Sequence, residues 1–149
     1  MTTRNFPIAV VAVAAVLFAS GTAARDDVVR FPVDEAITAP AATEKLNKDI
    51  KFFFGDAPHP EVERSFGVYT SNKKTNGFNK SAKVACDWAF LSALLSLQDR
   101  AMREGGDAVI NITSFYKANA VRSTTEYECG TGDLMVGVAF RGEVVKLKN

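Results

Sequence analysis

The sequence predicts an α+β fold: a two-layer domain with one long helix packed on a mainly antiparallel sheet and one disulfide. Three observations carry this reading. An apolar repeat with helical spacing runs without interruption from Ala82 to Glu104. Strand-length apolar segments precede and follow it, separated by glycine, proline and polar turns. Two cysteines, Cys86 within the helical repeat and Cys129 within a strand-like segment, are placed to tie helix to sheet.

Val28 to Pro32 reads as a short extended piece. Asp34 and Glu35, ahead of Ala36 and Ile37, favour a helix start, because acidic side chains suit the positive end of the helix dipole. Pro40 interrupts or restarts that helix, and Ala41 to Leu46 continue it for about two turns. The segment Ile50 to Phe54 ends at Gly55, with Phe52 and Phe54 pointing one way and Phe53 the other. Two apolar faces predict a buried strand, central in the sheet or covered on both sides. Asp56-Ala57-Pro58-His59-Pro60 is a proline-stiffened loop, and Ser65 to Thr70 is a second strand. Ser71 to Lys80 reads as a polar loop turning at Gly77, after which Asn79 or Ser81 caps the long helix.

In that helix Val84, Trp88, Leu91, Leu95, Gln98 and Met102 form one row, and Cys86, Phe90, Leu94, Leu97 and Ala101 a second. The small residues Ala85, Ala89, Ser92, Ala93 and Ser96 let one side approach a neighbour closely. Trp88 and Phe90 are both expected in the core. Arg100 and Arg103 suit the negative end of the helix, and Gly105-Gly106 supplies the left-handed stop. Ala108 to Tyr116 then alternates as a strand. Thr124 to Cys129 and Leu134 to Phe140 follow as strands joined by a turn at Gly130-Thr131-Gly132-Asp133. A last strand, Glu143 to Leu147, follows a bend at Arg141-Gly142.

The first residues bear on compartment. Arg4 precedes an uncharged apolar run from Phe6 to Ala19, and small residues continue through Ala24. The run is shorter than the roughly 20 residues a spanning helix needs, so it reads as a cleavable secretory signal over residues 1–24 rather than as an anchor. Thr22 and Ala24 suit the signal-peptidase pocket, with Ala23 an alternative cleavage point. Residues 25–149 then form a single domain, periplasmic or secreted, with no stable membrane anchor. Neither cysteine lies near the junction, which rules out lipid attachment there.

The formal net charge of +1 falls to about zero without Arg4. That balance offers no electrostatic footprint for nucleic acid or for an anionic membrane. Lys73, Lys74, Lys80 and Lys83 form a basic cluster, expected to be a solvated loop. Export and an even cysteine count predict a Cys86–Cys129 disulfide. It closes a loop of roughly 44 residues, worth about 4 kcal/mol by chain entropy.

Several motifs also carry a resemblance: Ile50-Lys51-Phe52-Phe53-Phe54-Gly55, Lys74-Thr75-Asn76-Gly77, Ala85-Cys86-Asp87-Trp88-Ala89-Phe90, Gly105-Gly106-Asp107-Ala108-Val109-Ile110-Asn111-Ile112 and Tyr127-Glu128-Cys129-Gly130-Thr131-Gly132. Together they resemble a family of small exported bacterial proteins often labelled "excinuclease ATPase subunit". That label implies nucleotide-dependent DNA repair. The sequence has neither a GxxxxGK[ST] loop nor cysteine clusters for zinc, so neither nucleotide nor nucleic acid is expected as a partner. Cys86 through Gly106-Asp107-Ala108-Val109 to Cys129 is more distantly similar to the sensor lipoprotein of the Rcs envelope-stress pathway and to YbjQ-like domains. That sensor has a lipid and a second disulfide, for which this chain lacks the cysteines. The similarity implies the fold and the helix-to-strand link.

Catalysis needs a base oriented by a third group and a nucleophile in reach. The single histidine, His59, lies between prolines with Asp56 and Glu61 nearby, and nothing local completes a catalytic set. No cofactor or metal is expected. The leading expectation is a binding or interaction module of the cell envelope, with an envelope protein or a second copy as partner. The alternative is a small metal-binding protein or hydrolase-like enzyme using His59, Asp56 and Glu61.

Overall fold

The computed structural model describes residues 26–149, so the leader expected over residues 1–24 lies outside the described residues. The elements run β1 (Asp26–Pro32), α1 (Val33–Thr38), α2 (Pro40–Lys45), β2 (Lys51–Phe54), β3 (Val62–Asn76), α3 (Ala82–Glu104), β4 (Ala108–Ser114), a 3-10 turn (Tyr116–Ala118), β5 (Glu126–Gly132) and β6 (Met135–Leu147). The long helix has the limits the sequence implies. Of the two candidate caps it is Ser81 whose Oγ accepts from the Val84 N–H, while Asn79 sits in the preceding turn with a positive φ of 57°. Gly105 ends the helix at φ 81°, a conformation that a Cβ penalises. Between α1 and α2 the backbone opens at Ala39, and Pro40 restarts the helix at its first turn, where its missing N–H costs nothing.

β6 is the spine of the sheet. β3 follows one edge over its whole length, from Val62 opposite Leu147 to Asn76 opposite Met135. β5 takes the start of the other edge and β4 its end. β1 adds to β5, and β2 adds to β4 as the single parallel pair. Because β4 and β5 share one edge and splay apart, the sheet curls into a half-barrel, with α3 packed on β6 and β3. Phe90 of the helix sits at the centre, its ring 4.6 Å from Tyr127, 5.4 Å from Phe140 and 5.8 Å from Phe54. Ala85, Ala89, Ala93 and Ala101 are fully buried, and these small side chains let the helix lie close to the strands. Cys86 and Cys129 are joined, with Cα atoms 6.0 Å apart, which ties the start of α3 to β5.

The strands differ from the sequence reading in five places, each for a tertiary reason. The segment Ser71 to Asn76 is not a loop but the second half of β3, because every residue in it pairs with β6. An edge strand tolerates this polarity, since its free side faces water. β2 is an edge strand and not a central one. Its doubly apolar character arises because Phe54 and Phe52 pack on the main core, while Phe53 packs on a small second cluster of Ala108, Ile110, Val145 and Leu147.

Gly130 lies inside β5, and the turn falls later, at Asp133 and Leu134. A Cβ at Gly130 would come 2.0 Å from Cζ of Tyr116, whose ring occupies that space. The last two expected strands are one, with no bend at Gly142. Glycine is needed there because a Cβ would meet Cγ1 of Val109 at 2.6 Å. β4 stops at Ser114 and carries an irregularity between Ile110 and Thr113, where Asn111 takes φ 51°.

Replacing Cys86 and Cys129 together with alanine is expected to lower the unfolding free energy by about 2–5 kcal/mol in urea titrations. An unchanged midpoint would mean that the buried aromatic cluster alone holds helix to sheet.

Candidate functional site

The helix–strand packing leaves one side of α3 outside the half-barrel, and the α1–α2 elbow rests against part of it. Ala36, Ala39, Pro40, Ala41 and Ala42 line one wall of a pocket of about 290 Å³, and Val84, Asp87, Trp88 and Leu91 line the other. The elbow residues are small, so they approach α3 without filling the space between. Trp88 is 44% exposed and Val84 48%.

This corrects the expectation that Trp88 and Phe90 are both core residues. Two positions along a helix are about 200° apart around its axis, so a single sheet cannot cover both. Phe90 takes the sheet side with Cys86, Leu94, Leu97 and Ala101. Of the other row, Val84, Trp88 and Met102 face outward while Leu91 and Gln98 are buried. Gln98 is buried to a purpose, its Oε1 accepting from the Asn47 N–H at 2.7 Å and so fixing the loop that leads into β2.

The pocket has one carboxylate, and it is held on both sides. Asp87 Oδ1 accepts from the Tyr127 hydroxyl at 2.7 Å, and Oδ2 accepts from Lys83 Nζ at 2.7 Å. Lys83 also lies 3.4 Å from Glu35 on α1. A chain of Tyr127, Asp87, Lys83 and Glu35 therefore links β5, α3 and α1. Burial raises the Tyr127 hydroxyl well above the ordinary phenol range, and the adjacent Asp87 carboxylate raises it further. Partial burial pulls Lys83 down, but Asp87 and Glu35 outweigh it and leave the ammonium above its ordinary value. Asp87 is thus a fixed anchor, and the wall offered to a ligand is apolar.

The residues of the alternative site fall elsewhere. His59 packs edge-on against Phe53, with ring centroids 5.6 Å apart, and its Nδ1 lies 2.8 Å from the Pro60 carbonyl, to which it donates. Glu61 accepts from Lys148 at 2.7 Å, and Asp56 is exposed in the turn after β2. Among the described residues no hydrogen bond joins His59 to either carboxylate, and no three histidine, cysteine or acidic side chains converge in a way that could hold a metal ion. The four lysines do not form a single loop cluster. Lys73 and Lys74 lie on β3, Lys80 lies in the following turn, and Lys83 is engaged by Asp87 and Glu35 on the helix.

The sequence held one signal for the pocket. The Val84–Trp88 row is offset from the Cys86–Phe90 row, and one sheet could cover only one of them. Comparison of the chain with protein-family models, with curated proteins and with solved structures finds no match.

Tyr127→Phe leaves the ring and removes the donor to Asp87, with an expected cost of about 1–3 kcal/mol near neutral pH. A raised phenol contributes stability that is fully present below its unfolded value of about 10 and is lost as pH climbs through the folded value. The gap between wild type and variant should therefore shrink above pH ~10, as measured by urea unfolding across the alkaline range.

Proposed function

We propose that the chain is an exported binding module of the periplasm or cell exterior, whose α3 pocket receives an apolar side chain of an envelope protein. One observation carries the reading: an indole nearly half exposed beside an apolar pocket whose only carboxylate is already bound by two partners. Aromatic side chains that pack little in the free protein and border a concave apolar wall are the usual anchors of protein recognition. The polar chain from Tyr127 to Glu35 holds the walls in place, so little ordering cost falls on the binding step.

Export is supported by the pattern from Arg4 to Ala24 and by a disulfide, which suits an oxidising compartment. No helix among the described residues is long and apolar enough to cross a membrane. The position of His59 against Phe53 and Pro60 favours no reaction, so the enzyme reading gains no support from it.

The test is photo-crosslinking in intact cells from a photoreactive residue placed at Val84, on the pocket rim. A discrete adduct with an envelope protein is expected, and Trp88→Ala should reduce its yield about tenfold, corresponding to the 1–2 kcal/mol of a central aromatic contact. Recovery of no adduct, or of one indifferent to Trp88→Ala, counts against the pocket.

A further inference from the structure

β2 ends the sheet beyond β4, so its other edge carries no strand. The phase of the pairing shows which groups that edge presents. The Lys51 N–H donates to the Asp107 carbonyl at 2.9 Å and the Gly55 N–H to the Ile112 carbonyl at 2.8 Å, so positions 51, 53 and 55 face β4. Backbone groups alternate sides from one strand residue to the next, and the N–H and C=O of Phe52 and the N–H of Phe54 therefore point away from it. The Phe54 carbonyl accepts from the Ala57 N–H, but among the described residues nothing bonds to the other three.

Two cavities border this edge in series. One, of about 470 Å³, lies by the start of β2, where Lys51 and Phe52 face Ile37, Ala42 and Leu46. The other, of about 530 Å³, lies by its end and is lined by Phe52, Phe53 and Phe54 together with Val33 and Ile37. Successive strand side chains point to opposite faces, so three consecutive residues line one cavity only where it runs along the edge. Ile37 and Phe52 belong to both cavities, which makes them one groove between α1 and β2. Its two ends differ in charge. Lys48 and Lys51 are the charged residues lining the first cavity, and Asp34 and Glu126 those lining the second. All four are exposed, and none is in an ion pair among the described residues. Asp49, between the two lysines, does not line the groove, and Arg30 and Arg122 are engaged by Glu128 and Asn111.

We propose that this groove binds an extended peptide segment of another protein, which adds to the sheet as a strand antiparallel to β2. Unpaired donors and acceptors at strand spacing are met by an extended backbone, and alternate side chains of that backbone fill the pockets beside it. An apolar residue opposite Phe54 enters the second cavity, and another opposite Phe52, about 7 Å along the segment, enters the first. A basic residue ahead of the first apolar one meets Asp34 and Glu126, and an acidic residue after the second stands opposite Lys51. The segment therefore reads basic, apolar, any, apolar, acidic. The groove shares Ala42 with the α3 pocket but neither Val84 nor Trp88, so the two sites can fail separately.

The test is titration of the isotope-labelled chain with the acetylated and amidated peptide Lys-Val-Thr-Val-Glu, followed by amide NMR. The Phe52 and Phe54 amide signals should shift and their hydrogen exchange should slow, with half-saturation on the order of 1 mM or below. N-methylation of the second valine removes the N–H that faces Phe52 and should weaken binding roughly tenfold. N-methylation of the threonine, whose N–H points away from β2, should leave binding unchanged. Asp34→Lys with Glu126→Lys, both at exposed positions, should weaken it several-fold, whereas Trp88→Ala should not alter it. Absence of shifts at Phe52 and Phe54, or equal sensitivity to the two N-methylations, overturns the proposal. It is also overturned if these two amides are already protected in the concentrated free chain and lose protection on dilution, since the added strand would then come from a second copy.

Discussion

The contact between one side of α3 and the concave face of the sheet is the constraint on which the rest of the molecule depends. Phe90 meets Tyr127, Phe140 and Phe54 at its centre, and Cys86–Cys129 ties the same helical turns to β5. Alanines at 85, 89, 93 and 101 bring backbone and strands close enough for the aromatic rings to interlock. Since β4 and β5 must both reach β6 along one edge, the sheet curls, and the helix fills the hollow.

The candidate pocket is a consequence of that packing. A helix whose sheet side is fully committed presents its opposite side elsewhere, and here the α1–α2 elbow covers it only in part, leaving Val84 and Trp88 at the rim of a pocket. The hydroxyl of Tyr127 emerges from the core to hold Asp87, so the aromatic cluster and the pocket wall are mechanically one unit. Disturbing the interior should then be felt at the surface, as expected where a buried polar network connects two elements.

The exposed apolar end that carries Phe78, Leu134 and Met135 has a different origin. It exists because β3 and β6 run together for their full length and end in adjacent turns. Neither turn alone would draw notice, Phe78 being one aromatic in a polar loop and Leu134 one aliphatic in a glycine-rich hairpin. Only the pairing of the two turns brings these exposed residues to one end of the domain.

Local chemistry by itself determined the long helix between Ser81 and Gly105, the break at Pro40, and two cysteines suited to pairing, because periodicity, capping and proline geometry act within a few residues. It also determined which segments could be strands. What only the tertiary structure decided was the reach of β3 through Asn76, the edge position of β2, and the glycine at 130 that belongs to the ring of Tyr116 and not to a turn. The exposure of Trp88 and the meeting of Phe78 with Leu134 and Met135 belong to the same class. Each depends on a partner more than ten residues away in the chain, and pairing across that distance leaves no mark on the spacing of neighbouring side chains.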